Sequence, residues 1–218
     1  MKRAHWTLLA LAAAVCICSL PAAAGTIFDD FGQGNSYNCC TGWTVSGVNS
    51  PPGQFISANE FTAGGGGGVV GTIDLAIGLV VGDGSGTVGI YPILGGVPDL
   101  AHPISTGNFT AHQPFGNCCA IETVTMTPGT LANGTDYFIV LQADNITWDA
   151  FNFNTVGYNN IDLFSQDNGN SWVNNGIQTI GTFRINMGVS TVPEPGTLVM
   201  LGSGVLALAG ALRRKINL

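Results

Sequence analysis

Short apolar or alternating runs, each stopped by Gly, Pro, Asn or Asp, recur along residues 25–192, and none keeps a helical period. Residues 26–31 predict a first strand, closed by the turn Gly32-Gln33-Gly34-Asn35. Residues 43–45 and 54–61 follow, split by Ser50-Pro51-Pro52-Gly53. Five consecutive glycines at 64–68 predict a loop, because ordering glycine costs the most backbone entropy. Residues 72–81 form the strongest buried strand, with Ile73, Leu75, Ile77 and Leu79 on one face. Residues 86–94 predict a strand whose Pro92 suggests a sheet edge. Stretches 120–127, 136–141, 147–153, 161–164 and 177–187 complete the set. About ten such strands predict an all-β domain, an antiparallel β-sandwich of jelly-roll type. A β-solenoid is the runner-up, but no fixed-period repeat supports it.

The two ends carry a different pattern. Lys2 and Arg3, an apolar core over residues 8–20 and Ala22-Ala23-Ala24 have the form of a secretory signal peptide, cut between Ala24 and Gly25. Cys16 and Cys18 follow Val15 and Ile17, which are too bulky for a lipoprotein signal. At the other end, Val192-Pro193-Glu194-Pro195-Gly196 precedes an apolar run over 197–212 and the basic cluster Arg213-Arg214-Lys215. The prolines prevent a helix from running out of the preceding domain into this tail. The apolar run predicts a single hydrophobic helix, short against the roughly 20 residues of a usual span. Its basic end would stay cytoplasmic. The expected organisation is a leader at 1–24, an extracellular domain at 25–191 and a tail at 192–218.

This tail resembles the PEP-CTERM sorting signal: proline–glutamate–proline, one hydrophobic span and a basic cluster, in that order. The resemblance implies recognition by exosortase, a membrane protease-transpeptidase, after export by the Sec machinery. It also implies a transient membrane anchor, followed by residence at the cell surface or in the extracellular matrix. A plain, uncut tail anchor is the alternative. Within the domain, Phe28-Asp29-Asp30-Phe31-Gly32, Gly42-Trp43-Thr44-Val45, Phe115-Gly116-Asn117-Cys118-Cys119-Ala120 and Trp148-Asp149-Ala150-Phe151 look like a choice-of-anchor ectodomain. That group brings no established activity.

Charge narrows the partners. Arg184 is the only Lys or Arg between residues 25 and 192, against twelve Asp and Glu, a balance of about −11. Such a surface repels phosphate backbones, which excludes nucleic acid. Four cysteines stand in two Asn-Cys-Cys triplets, Cys39-Cys40 and Cys118-Cys119, and export permits disulfides. At least one link between the triplets is expected, closing a loop of roughly 80 residues. Adjacent cysteines lack the spacing of zinc sites.

No catalytic constellation stands out. Gly66-Gly67-Gly68-Val69-Val70-Gly71 and Gly84-Ser85-Gly86-Thr87-Val88-Gly89 match a dinucleotide fingerprint in letters only, since each runs into strand-like sequence. His102 and His112 sit among polar loop residues, and no Gly-x-Ser-x-Gly elbow is present. Asp29, Asp30, Asp144, Asp149, Asp162 and Asp167 could supply paired carboxylates for glycoside hydrolysis, but glutamates are scarce. Asp29 and Asp30 are candidate ligands for a structural calcium ion. Trp172, in a polar setting, is the candidate platform for stacking on a sugar, whereas Trp43 and Trp148 suit a core. The three Asn-x-Thr sequons, at Asn108, Asn133 and Asn145, are chance matches in a bacterial chain. The expected role is therefore non-catalytic, structural or adhesive, in an exopolysaccharide matrix. A calcium-dependent carbohydrate-binding module is the alternative, and a secreted hydrolase stands third.

Overall fold

Side-chain alternation assigns each strand two faces, and in this chain both faces of one sheet are covered. The computed structural model describes residues 25–188 and 202–204. Sixteen strands lie within the first stretch: β1 (Thr26–Asp29), β2 (Asn38–Ser46), β3 (Ile56–Thr62), β4 (Gly68–Leu75), β5 (Ile77–Val81), β6 (Ser85–Tyr91), β7 (Ile93–Leu94), β8 (Val97–Pro98), β9 (Ser105–Thr110), β10 (Glu122–Thr125), β11 (Thr130–Leu131), β12 (Asp136–Ala143), β13 (Trp148–Phe153), β14 (Asn159–Ser165), β15 (Val173–Thr179) and β16 (Phe183–Met187).

All named strands pair antiparallel. One layer is a six-stranded sheet in the order β15-β14-β3-β12-β6-β9. The other joins β1-β16-β4-β10, with β11 beside β4, to a three-stranded sheet β2-β13-β5. The result is an antiparallel β-sandwich, as the strand pattern predicts.

The main core lies between the layers. Phe61, Val88, Ile90, Phe109, Ile139 and Leu141 from the six-stranded sheet meet Ile73, Leu75, Ile77, Phe151, Phe183 and Ile185 from the other. Phe183 is its centre: its ring stacks on Phe28 at 4.5 Å and meets the edge of Phe61 at 5.3 Å. Burying each such ring contributes about 2–3 kcal/mol. The face Ile73, Leu75, Ile77 and Leu79 points into this core, as the alternation requires.

The long strand expected over 72–81 is nevertheless two. At Ala76 the chain changes partners: its amide donates to Thr182 O at 3.0 Å, and its carbonyl accepts from Asn152 N at 2.9 Å. β4 therefore belongs beside β16, and β5 beside β13. The stretch 177–187 divides likewise. β15 pairs with β14 in one layer and β16 with β4 in the other, with Ile180–Thr182 crossing between them.

Pro92 does not mark an edge. β6 lies between β12 and β9, and Pro92 falls just past its end, where the missing N–H terminates the ladder instead of facing solvent. The chain then doubles back through β7 and β8. Gly95 and Gly96 hold φ at +64° and +84°, the paired positive values of a tight two-residue hairpin.

That hairpin has a purpose in packing. Ile56, Ala58, Phe138, Val140 and Leu163 form a second cluster on the outer face of the six-stranded sheet. Ile93 and Val97 of the hairpin, with Leu100 and Trp172, cover it.

The leader at 1–24 and the motif and basic cluster of the tail lie outside the described residues. So does most of the expected tail helix; residues 202–204 are helical. Among the described residues, no helix is long and apolar enough to cross a membrane.

Candidate functional site

The only cation of the described domain organises one surface of it. β16 carries Arg184 directly opposite Asp29 on β1 and Asp74 on β4. Its Nε donates to Asp29 Oδ2 at 2.9 Å, Nη1 to Asp74 Oδ2 at 3.3 Å and Nη2 to Asn35 Oδ1 at 2.6 Å. The guanidinium also lies 5.1 Å above the Phe31 ring. Asp74 accepts two further bonds, from Thr123 and Asn186. Asp29, one of the two calcium candidates, is thus already supplied with positive charge.

Asp30, the other, turns into the core at 1 % exposure. Its Oδ1 accepts from Phe183 N at 2.7 Å, and its Oδ2 has no partner. Burial pushes its carboxyl up to about 8.

Besides Asp30 and the Arg184-bound Asp74, two carboxyls are buried. Asp162 on β14 accepts from Asn59 at 2.6 Å and from Asn175 at 2.5 Å. Desolvation outweighs these bonds and lifts it to about 6. Asp149 on β13 is fully buried, and neither of its oxygens has a hydrogen-bond partner. Burial, then the nearby Asp83 charge, raises it to about 8. Asp167, by contrast, closes a turn by accepting from Ser165 and Ser171, and those bonds hold its carboxyl low.

The histidines are surface groups. His102 pairs with Asp99 at 2.8 Å and His112 with Glu122 at 3.1 Å, with side-chain exposures of 78 % and 75 %. Neither glycine-rich fingerprint leads into a helix. The first lies in a turn entering β4, and the second runs along β6.

Cys39 on β2 is bonded to Cys118, with Cα atoms 5.5 Å apart and 79 positions between them in sequence. Cys39 is buried beside Phe31, Tyr37 and Ala76, while Cys40 and Cys119 are exposed thiols. Tyr37 fastens the same corner by donating from its hydroxyl to Ala120 O at 2.8 Å.

Trp172 is half-buried against the outer cluster, close to Leu100. Trp43 packs on the main core and donates from its indole nitrogen to Thr179 O at 3.0 Å. Trp148 is half-buried.

A groove that sequence reasoning missed crosses β6 and β9. It has a volume of about 570 Å³ and is lined by Thr87, Tyr91, Thr106, Asn108, Thr125 and Thr127, together with Val88, Gly107 and Met126. No charged side chain lines it. The Tyr91 ring folds back over Gly89, where any Cβ would lie 2.5 Å from the ring. A row of threonines in a weakly apolar stretch gives no alternation to notice. The pairing of β6 with β9 brings Thr87 and Thr106 together, and Thr127 joins them by donating its amide to Thr106 O at 2.8 Å.

Residues 191–215 match the PEP-CTERM protein-sorting motif. No curated protein matches the chain. The motif marks an exported, exosortase-sorted protein bound for the surface or the extracellular space.

Proposed function

We propose that the β-sandwich is the cargo of this sorting motif and acts without catalysis, as a structural or adhesive component of the exopolysaccharide matrix. The carrying observation is adjacency in the chain: β16 ends at Met187, and the matched motif begins at residue 191. Val192, Pro193, Glu194 and Pro195 would be read by exosortase, with the span and Arg213, Arg214 and Lys215 holding the chain in the membrane meanwhile. The Cys39–Cys118 link and two covered faces of one sheet suit a part that must persist outside the cell. The test compares matrix from cells carrying the full chain with matrix from cells whose chain lacks residues 192–218. The proposal expects the protein in the first matrix and a weaker matrix in the second. Equal matrix strength and equal protein content would contradict it.

A second reading, carbohydrate binding, is favoured by the groove on β6 and β9. Hydroxyl and amide groups both donate and accept, and Tyr91 supplies an aromatic surface, which together suit a neutral sugar. Tyr91→Ala should abolish retention on the cell's own polysaccharide. Retention that depends on Trp172 and not on Tyr91 would move the site to the outer cluster.

A further inference from the structure

One corner of the sandwich holds a carboxylate that the fold leaves unexplained. Asp149 is 0 % exposed, and both of its oxygens lack a protein partner. Buried polar groups are almost always bonded, so an exception points to water or an ion. Its cross-strand neighbours are Val45 and Leu79, both apolar, so no side chain directly beside it in the sheet can serve.

Strand pairing brings a second carboxylate to the same corner. Val81 ends β5 beside Trp148, and Asp83, two residues further on, meets the start of β13 at Thr147, two residues before Asp149. Thr147 shares Asp149's face by alternation and is itself fully buried. Its hydroxyl donates to Asp83 Oδ1 at 2.7 Å. Ser85 adds two more bonds to that same oxygen, from its amide at 3.1 Å and its hydroxyl at 2.7 Å. Three donors therefore converge on Oδ1, and none of them uses Oδ2. Gly82, at φ +98°, permits the tight approach, since a Cβ there would sit 2.8 Å from Thr147 Cα.

We propose that Asp149 and Asp83 form a calcium site at the corner where β5 leaves β13, with both Asp149 oxygens and Asp83 Oδ2 as the protein ligands. The donor set is oxygen only, which suits a hard cation and not zinc or copper. Calcium accepts an irregular shell of protein and water oxygens, whereas magnesium demands a regular octahedron. Two positive charges would also balance the two carboxylates, one of which the fold has removed from water. The site is distinct from Asp29, where Arg184 already supplies the cation, and from Asp30, which lies beside Phe183 N in the core.

The test uses the protein recovered from the cells that export it, stripped with a calcium chelator and titrated with calcium chloride. Calorimetry should show one calcium per chain, with a Kd of about 0.1–1 mM as in extracellular modules. The melting temperature should rise by about 2–5 °C in roughly 5 mM calcium. Asp149→Asn should remove both effects, and without calcium it should melt no lower than the stripped wild type, because an amide needs no counter-charge. The absence of binding heat and of any shift in the wild type would overturn the proposal. So would a calcium shift that survives Asp149→Asn. Should that variant fail to fold, Asp83→Asn decides: affinity falls at least about tenfold, or the site is not there.

Discussion

Asp162 on β14 lies directly across the sheet from Asn59 on β3, and the Asn59 amide donates to its Oδ1 at 2.6 Å. Asn59 in turn accepts from Gly181 N at 2.9 Å, so its orientation is fixed by the crossing between β15 and β16. Asn175 closes the other side of the carboxyl.

This carboxyl makes stability depend on pH. Its pKa rises from 3.8 to about 6 on folding, chiefly through burial. Below the unfolded value both states are protonated and stability is full. As pH climbs toward 6, the unfolded chain ionises first and stability falls, by about 3 kcal/mol once both states are ionised. Asp30, raised to about 8, extends the decline upward. Denaturant melts should therefore show a more stable domain at pH 4 than at pH 8. Asp162→Asn should flatten the lower part of that slope, since a turned Asn175 amide can accept from the new donor. An unchanged slope in the variant would contradict this assignment.

The disulfide should contribute in proportion to the loop it closes. A separation of 79 residues corresponds to about 4.5 kcal/mol in the chain-entropy model. Cys39→Ser should cost most of that, and Cys40→Ser, at an exposed thiol, within about 0.5 kcal/mol. The reverse order of losses in chemical denaturation would place the bridge on the other cysteines.

Arg184 should be hard to replace. Removing it leaves Asp74, at 12 % side-chain exposure, with only its neutral donors and strips Asn35 and Asp29 of a shared partner. Arg184→Met should destabilise by about 2 kcal/mol, below the cost of breaking a fully buried pair because the guanidinium is part-exposed. Arg184→Lys should recover less than half, as an ammonium cannot span three acceptors. Full recovery in thermal melts would show that charge alone matters.

Glycines should differ sharply by position. A Cβ on Gly181 would lie 2.5 Å from Phe151 Cε1, inside a fully buried ring's contact surface. Gly181→Ala should cost at least about 2 kcal/mol through overpacking. Gly34, at φ +69° with nothing within 4 Å, has only backbone strain to lose, about 1 kcal/mol. A reversed order in equilibrium unfolding would refute the packing at the crossing.

Much of this architecture is legible in the residues. Alternation identifies Ile73, Leu75, Ile77 and Leu79 as one face, because burial acts on side chains locally. Alternation carries no information on which strand lies alongside. The partner change at Ala76 and the division at residues 180–182 are set by pairing across the sandwich, and no local period marks them. β9, Ser-Thr-Gly-Asn-Phe-Thr, is nearly invisible because an edge strand beside a polar groove needs only Ser105 and Phe109 inside. Asp149 is the clearest case at a candidate site: it falls in the expected strand 147–153, but alternation does not say which face is buried, and only three-dimensional pairing removes it from water.

The most direct test of the account is the mass of the C-terminal peptide of the protein recovered from its native cells. Processing by exosortase predicts a chain ending near Pro193–Pro195, without residues 197–218. A recovered chain that still ends at Leu218 would contradict processing and leave an uncut tail anchor.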